Sequence, residues 1–119
     1  LTLTPETSFI PIAHGEGRFV PASDEIMQDI EESGCVACRY GATDNPNGSV
    51  GEVMGICDVS GLVLGLMPHP ERFLRWTQHP TWTRLSKEEQ QGDPLGLQMF
   101  KNAVKHVTQK TANCVEQSI

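Results

Sequence analysis

No stretch of about 18 apolar residues runs through this 119-residue chain, so it offers no membrane-spanning helix. Basic residues are scarce as well. Nine Lys and Arg stand against fifteen Asp and Glu, a formal net charge of −6, which argues against nucleic acid or an anionic membrane as partner. No run of like charge is long enough to make a tail. Of the four cysteines only Cys35 and Cys38 are close together. Zinc would want a second pair or nearby histidines, so half-buried thiols are expected at both positions, and reduced thiols suit the cytoplasm. Residues 1–7 have neither a basic n-region nor an apolar core, so no signal peptide is expected, and a start at Leu1 without Met fits a piece of a longer protein. There is no internal repeat, no low-complexity segment, and no Gly-x-x-x-x-Gly-Lys-Ser/Thr loop for nucleotide phosphates. With 38% hydrophobic residues, what is present suffices for one small domain or part of one.

The apolar run at residues 9–13 predicts a strand, broken by the glycines of His14-Gly15-Glu16-Gly17-Arg18 into a loop of functional character. Ser23 is a good N-cap, with Asp24 and Glu25 in the first turn and Ile26 and Ile30 four apart. A short amphipathic helix is therefore expected to run to Ser33 and stop at Gly34. Residues 35–40 read as a strand with Cys35 and Cys38 on opposite faces, and residues 43–49 are dense in turn formers. Residues 53–58 and 62–67 read as a hairpin of buried strands joined at Val59-Ser60-Gly61. Prolines flank His69 on both sides, so it is expected on a loop at the end of the second strand. Residues 73–92 are irregular and predict a surface excursion carrying Trp76, His79, Trp82 and Arg84. Both tryptophans are expected to cover a core edge, and His79 and His106 to lie on the surface. Leu95, Met99, Ala103 and Val107, with Phe100 and Val104 beside them, mark a last amphipathic helix that frays from Thr108. The mixture indicates an α/β class with its site in polar loops at strand ends; domain 1–110 is followed by a tail at 111–119.

His69 and Glu71 are the sharpest chemical pair. A histidine acting as a general base needs an acceptor on its far ring nitrogen to set the tautomer and stabilise the imidazolium. A carboxylate two residues on, in an extended and proline-stiffened segment, projects to the same side and can be that acceptor. Arg72 is expected in a surface ion pair.

Five blocks then line up in order: Pro11-Ile12-Ala13-His14-Gly15-Glu16-Gly17-Arg18-Phe19, Arg39-Tyr40, Asn45-Pro46-Asn47-Gly48-Ser49, Gly55-Ile56-Cys57-Asp58 and Gly65-Leu66-Met67-Pro68-His69-Pro70-Glu71-Arg72. Together they resemble the glutaminase component of phosphoribosylformylglycinamidine synthase, the purine-biosynthesis member of the class I glutamine amidotransferases. The resemblance implies the C-terminal portion of a flavodoxin-like, three-layer α/β/α domain. It makes His69 the general base and Glu71 its orienting partner in a Cys-His-Glu triad, and it puts Gly15 and Glu16 at the glutamine pocket. It implies that glutamine is hydrolysed to glutamate and ammonia, and that the ammonia amidates formylglycinamide ribonucleotide in a synthase domain or subunit. No cofactor is implied for this domain; ATP and Mg belong to the synthase partner.

One departure from the family pattern is large. The nucleophile's Gly-x-Cys-x-Gly turn is absent from these residues, so the missing N-terminal half of the domain is an expected partner and the chain alone is expected to be inactive. A cut sheet would also leave an unpaired edge and a marginal fold. The alternatives are a non-catalytic module docking on the synthase, or another class I amidotransferase such as the guanylate or anthranilate branch, against which the loop motifs argue.

Overall fold

The computed structural model describes residues 8–41 and 43–116, with side chains through residue 109. Expectations for residues 1–7 and for the side chain of Cys114 lie outside what is described. The chain divides into two compact units, Ile12–Pro68 and the pair of segments Leu1–Pro11 and His69–Ile119.

The first unit holds helix α1 (Asp24–Glu32) and three strands, β1 (Val36–Arg39), β2 (Val53–Cys57) and β3 (Leu64–Leu66). Helix α1 starts where its cap dictates: Ser23 is extended (φ −157°, ψ 170°) and its Oγ accepts the Ile26 N–H at 3.3 Å. The strands form an antiparallel sheet in the order β1-β2-β3. Two register shifts in the pairing of β1 with β2 flank Cys38, yet half-buried and exposed residues alternate regularly from Val36 to Arg39. Cys35 precedes the strand instead of heading it, and Cys35, Cys38 and Cys57 are free and half-buried.

The hairpin is present but wider than predicted. Its last paired residues are Cys57 and Leu64, so the connection spans residues 58–63. Asp58 organises it: one carboxylate oxygen accepts the N–H groups of Leu62 and Val63, both at 3.0 Å, and the other accepts Ser60 Oγ at 2.6 Å. These bonds pull its carboxyl from the usual 3.8 down to about 2, the Ser60 hydroxyl first. The expectation of two buried strands holds only for β2, where Val53 is 1% exposed; Leu64 on β3 is 53% exposed. The reason is position in the sheet: β2 is flanked on both sides, whereas β3 is an edge.

In the second unit the core is aromatic. Phe73 is fully buried, with Phe9 edge-on at 6.1 Å, Trp76 edge-on at 5.6 Å and the His79 ring at 5.7 Å. His79 is therefore not on the surface as its sequence context suggests. It is 7% exposed, and its Nδ1 accepts the Thr81 N–H at 3.2 Å, which satisfies one polar atom inside an apolar setting. Trp76 covers the edge of this cluster and donates Nε1–H to the Gly92 carbonyl at 3.0 Å. The irregular segment is built from short 3-10 turns at Trp76–Gln78 and Trp82–Arg84. Residues 9–13 form no strand: Pro11 has no N–H to give to a ladder, and its carbonyl takes the His69 N–H at 2.7 Å.

Helix α2 (Leu95–Glu116) carries on past Thr108, where fraying is expected. Its apolar stripe is half-buried at Leu95 and Met99 but exposed from Phe100 onward among the described residues, with Val104 68% exposed. No described helix is long and apolar enough to cross a membrane.

Candidate active site

Each unit places a histidine in a loop with its Nδ1 held by another side chain. In the second unit, Pro70 opens a 3-10 turn at Pro70–Arg72, its fixed φ suiting the first helical position, and His69 immediately precedes that turn. The turn closes with Arg72 N–H on the His69 carbonyl at 3.1 Å and Phe73 N–H on the Pro70 carbonyl at 3.0 Å. Glu71 Oε1 then lies 2.7 Å from His69 Nδ1. The predicted pair forms, although for a different reason: a tight turn, not an extended segment, brings position i+2 back to the histidine.

The His69 N–H holds the Glu71 carboxyl below its ordinary value, aided by the Glu71 backbone N–H and by the positive charges of His69 and Arg72. An ionised Glu71 accepting from Nδ1 leaves Nε2 of the neutral ring with its lone pair, and the half-exposed ring can then take a proton from a nearby acid. Arg72 contributes only through its field; the ion pairs among the described residues are Arg39–Glu31, His69–Glu71 and Lys101–Asp93. From outside the loop, α2 fixes the turn by close approach. A Cβ on the buried Gly96 would stand 2.1 Å from the Pro70 carbonyl oxygen and 2.5 Å from that of Phe73, so only glycine lets the helix backbone lie there.

In the first unit, Gly17 N–H bonds to the His14 carbonyl at 2.8 Å, closing a turn across Gly15 and Glu16. Gly15 has φ +57° and Glu16 does not share the positive sign, the type II′ pattern, which demands glycine at the first central position. Asn47 reaches over this turn. Its Nδ2 donates to the carbonyls of Gly15 and of Gly17, the latter at 2.9 Å, and stands 3.0 Å from His14 Nδ1. Tyr40 Oη is 3.3 Å from the opposite nitrogen, His14 Nε2.

The segment that carries Asn47 is itself anchored. Asn45 Nδ2 donates to the Ser49 carbonyl and Asn45 Oδ1 accepts the Ser49 N–H, both at 2.9 Å. The buried Ser49 accepts the Phe19 N–H on its Oγ at 3.0 Å, and Val50 N–H bonds to the Phe19 carbonyl. An open depression of about 370 Å³ is lined by Glu16, Arg18 and Asn47.

The predicted site residues therefore fall as two groups, His69 with Glu71 in one unit and Gly15 with Glu16 in the other. In the sequence, residues 45–49 read as turn formers and as one of the five family blocks, with no separate role for Asn47 or Ser49. The available signal is polar side chains at every second position, 45, 47 and 49, in a segment that Pro46 stiffens and Gly48 lets turn. Burial, reinforced by the neighbouring Cys57, pushes the Cys38 thiol up, away from thiolate formation.

The chain matches the CobB/CobQ-like glutamine amidotransferase domain over residues 2–107. Over 110 residues it is 41% identical to phosphoribosylformylglycinamidine synthase subunit PurQ of Treponema denticola, an alignment covering 82% of this chain and 39% of that protein. It is 39% identical over 106 residues to the subunit of the same name from Dehalococcoides mccartyi, covering 85% of this chain and 40% of that one. A shorter alignment of 67 residues with the Trichormus variabilis subunit reaches 55% identity, over 56% of this chain and 29% of the relative. The chain spans about two fifths of the length of the first and second of these relatives.

Proposed function

The chain belongs to the CobB/CobQ-like glutamine amidotransferase family, and from that premise we propose that it carries the general base and the orienting carboxylate of the glutaminase in a phosphoribosylformylglycinamidine synthase. The observation that carries the reading is the 2.7 Å contact between His69 Nδ1 and Glu71 Oε1. Similarity to subunits named PurQ supports the purine assignment. In this reading the residues form the C-terminal portion of a three-layer α/β/α domain.

A cysteine thiolate attacks the side-chain amide of glutamine, forming a C–S bond and a tetrahedral intermediate. His69 Nε2, having taken the thiol proton, passes it to the departing ammonia as the C–N bond breaks. Water then opens the thioester, with His69 again taking a proton, and glutamate leaves. Glu71 holds the ring in the reactive tautomer throughout and stabilises it when it is charged. Gly15 and Glu16 hold the amino-acid end of glutamine. The nucleophile's Gly-x-Cys-x-Gly turn is not among these 119 residues and is assigned to a part of the protein beyond them. Ammonia passes to a synthase domain or subunit, where ATP and Mg serve the amidation of formylglycinamide ribonucleotide. Free, half-buried thiols support a cytoplasmic setting.

In the complete glutaminase, His69→Ala is expected to lower glutamate release by about 10²–10⁴-fold while ammonia-supported amidation is retained. The 119 residues alone are expected to release no glutamate. Release from them that His69→Ala abolishes would sink the assignment of the nucleophile, and undiminished release by the complete His69→Ala enzyme would sink that of the base.

A further inference from the structure

We infer that Asn47 is a positioning residue that sets the direction of two backbone N–H groups, those of Glu16 and Arg18, and through them the affinity for glutamine. The second half of this inference rests on the reading that the loop holds glutamine.

The geometry begins with the amide itself. Two carbonyl oxygens, of Gly15 and Gly17, face the same atom of Asn47, which must therefore be the NH2 nitrogen. That orientation puts a donor 3.0 Å from His14 Nδ1, so this ring nitrogen accepts and the proton of the neutral ring sits on Nε2, toward Tyr40 Oη. Two hydrogens serve three acceptors, so the amide is fully committed to the loop.

Across a trans peptide the C=O and N–H point in opposite directions, and no peptide here is cis. With the Gly15 and Gly17 carbonyls turned to Asn47, the N–H groups of Glu16 and Arg18 both point away from it. Neither bonds to a described residue. Two like-directed donors, two residues apart, suit the two oxygens of a carboxylate such as the one glutamine carries. Without the clamp, the Gly17 N–H bond to the His14 carbonyl is what holds the turn, and the glycines on both sides of Glu16 give the flanking peptides a wide range of orientations. The clasp of Asn45 and Ser49 on the Phe19 segment explains why Asn47, 33 residues from His14, arrives in register.

The test uses Asn47→Asp, which keeps the shape but replaces the donor with an acceptor, and Asn47→Ala. In the complete glutaminase, ¹⁵N relaxation is expected to give order parameters near about 0.85 for residues 15–17 in the parent and below about 0.6 in both variants. Signals of α1 stay unchanged as the control for folding. If Asn47→Ala loses those signals, Asn47→Asp decides. In the complete glutaminase, both variants are expected to raise the KM for glutamine about tenfold with kcat within about threefold. Loop order parameters equal in parent and variants, or already low in the parent, overturn the positioning role. A loop that loosens while KM stays put upholds the clamp and overturns only the glutamine reading of the loop.

Discussion

His69 and His14 are held in opposite senses, and the contrast separates what a local sequence can arrange from what a fold must assemble. His69 meets a carboxylate two residues away, which accepts from Nδ1 and leaves Nε2 basic. His14 meets an amide 33 residues away, which donates to Nδ1 and leaves the proton on Nε2, facing a tyrosine 26 residues away. One ring has a carboxylate on Nδ1, whereas the other has an amide donor on Nδ1 and a tyrosine on Nε2. A residue type alone does not distinguish these roles; the partner of Nδ1 does.

The most drastic way to break the His69 side is from beneath. Phe73 follows the Pro70–Arg72 turn directly and is fully buried, so Phe73→Ala should destabilise its unit by about 3–5 kcal/mol. Urea unfolding followed by Trp76 and Trp82 fluorescence measures this, since both tryptophans belong to the same unit. A loss below about 1 kcal/mol would mean that the aromatic cluster is not the core.

Next in size is Gly96→Ala. The added Cβ would stand 2.1 Å from the Pro70 carbonyl, and the overpacking should cost about 1–3 kcal/mol and displace the turn that carries Glu71. The same urea assay gives the stability, and a shift of the His69 ring ¹⁵N signals reports the displacement.

The contrast itself is tested by long-range ¹H–¹⁵N correlation at a pH where both rings are neutral. His69 should show the Nδ1–H tautomer and His14 the Nε2–H tautomer, and Glu71→Gln should weaken the preference only at His69. Identical tautomers in the parent would erase the distinction.

The smallest effect is one of pH. Asp58 titrates at about 2 in the folded chain against a usual 3.8, a depressed value. Its support of the hairpin connection is therefore complete above about pH 4 and is lost as pH falls through about 2. Glu71, also lowered, has the same sign, so its hold on His69 weakens on acidification. Amide exchange of Leu62 and Val63 between pH 5 and pH 2 should show the Asp58 transition, and Asp58→Asn should remove it.

The sequence carried much of this, at identifiable places. Ser23 announces α1, the turn formers announce the loop at residues 43–49, and the prolines around His69 announce a break with Glu71 close by. Elsewhere the chain misled for physical reasons. The apolar run at residues 9–13 satisfies a strand pattern, but a strand needs a partner ladder and Pro11 cannot donate to one. His79 looks polar in sequence, yet its ring fits among Phe9 and Phe73 because Thr81 satisfies Nδ1. The hairpin pattern is right, but which strand lies at the edge depends on what pairs beyond it.

By itself, then, the sequence determined the interactions whose partners lie within a few residues: the caps, the turn connections and the His69–Glu71 pair. At that separation, chain geometry leaves few ways to miss. Only the tertiary structure decided that Gly96 seats α2 on the Pro70–Arg72 turn, that Phe73 is the centre of a core, and that Asn47 grips the loop of His14. Those contacts join segments tens of residues apart, and their closure depends on the packing and hydrogen bonding of everything between them.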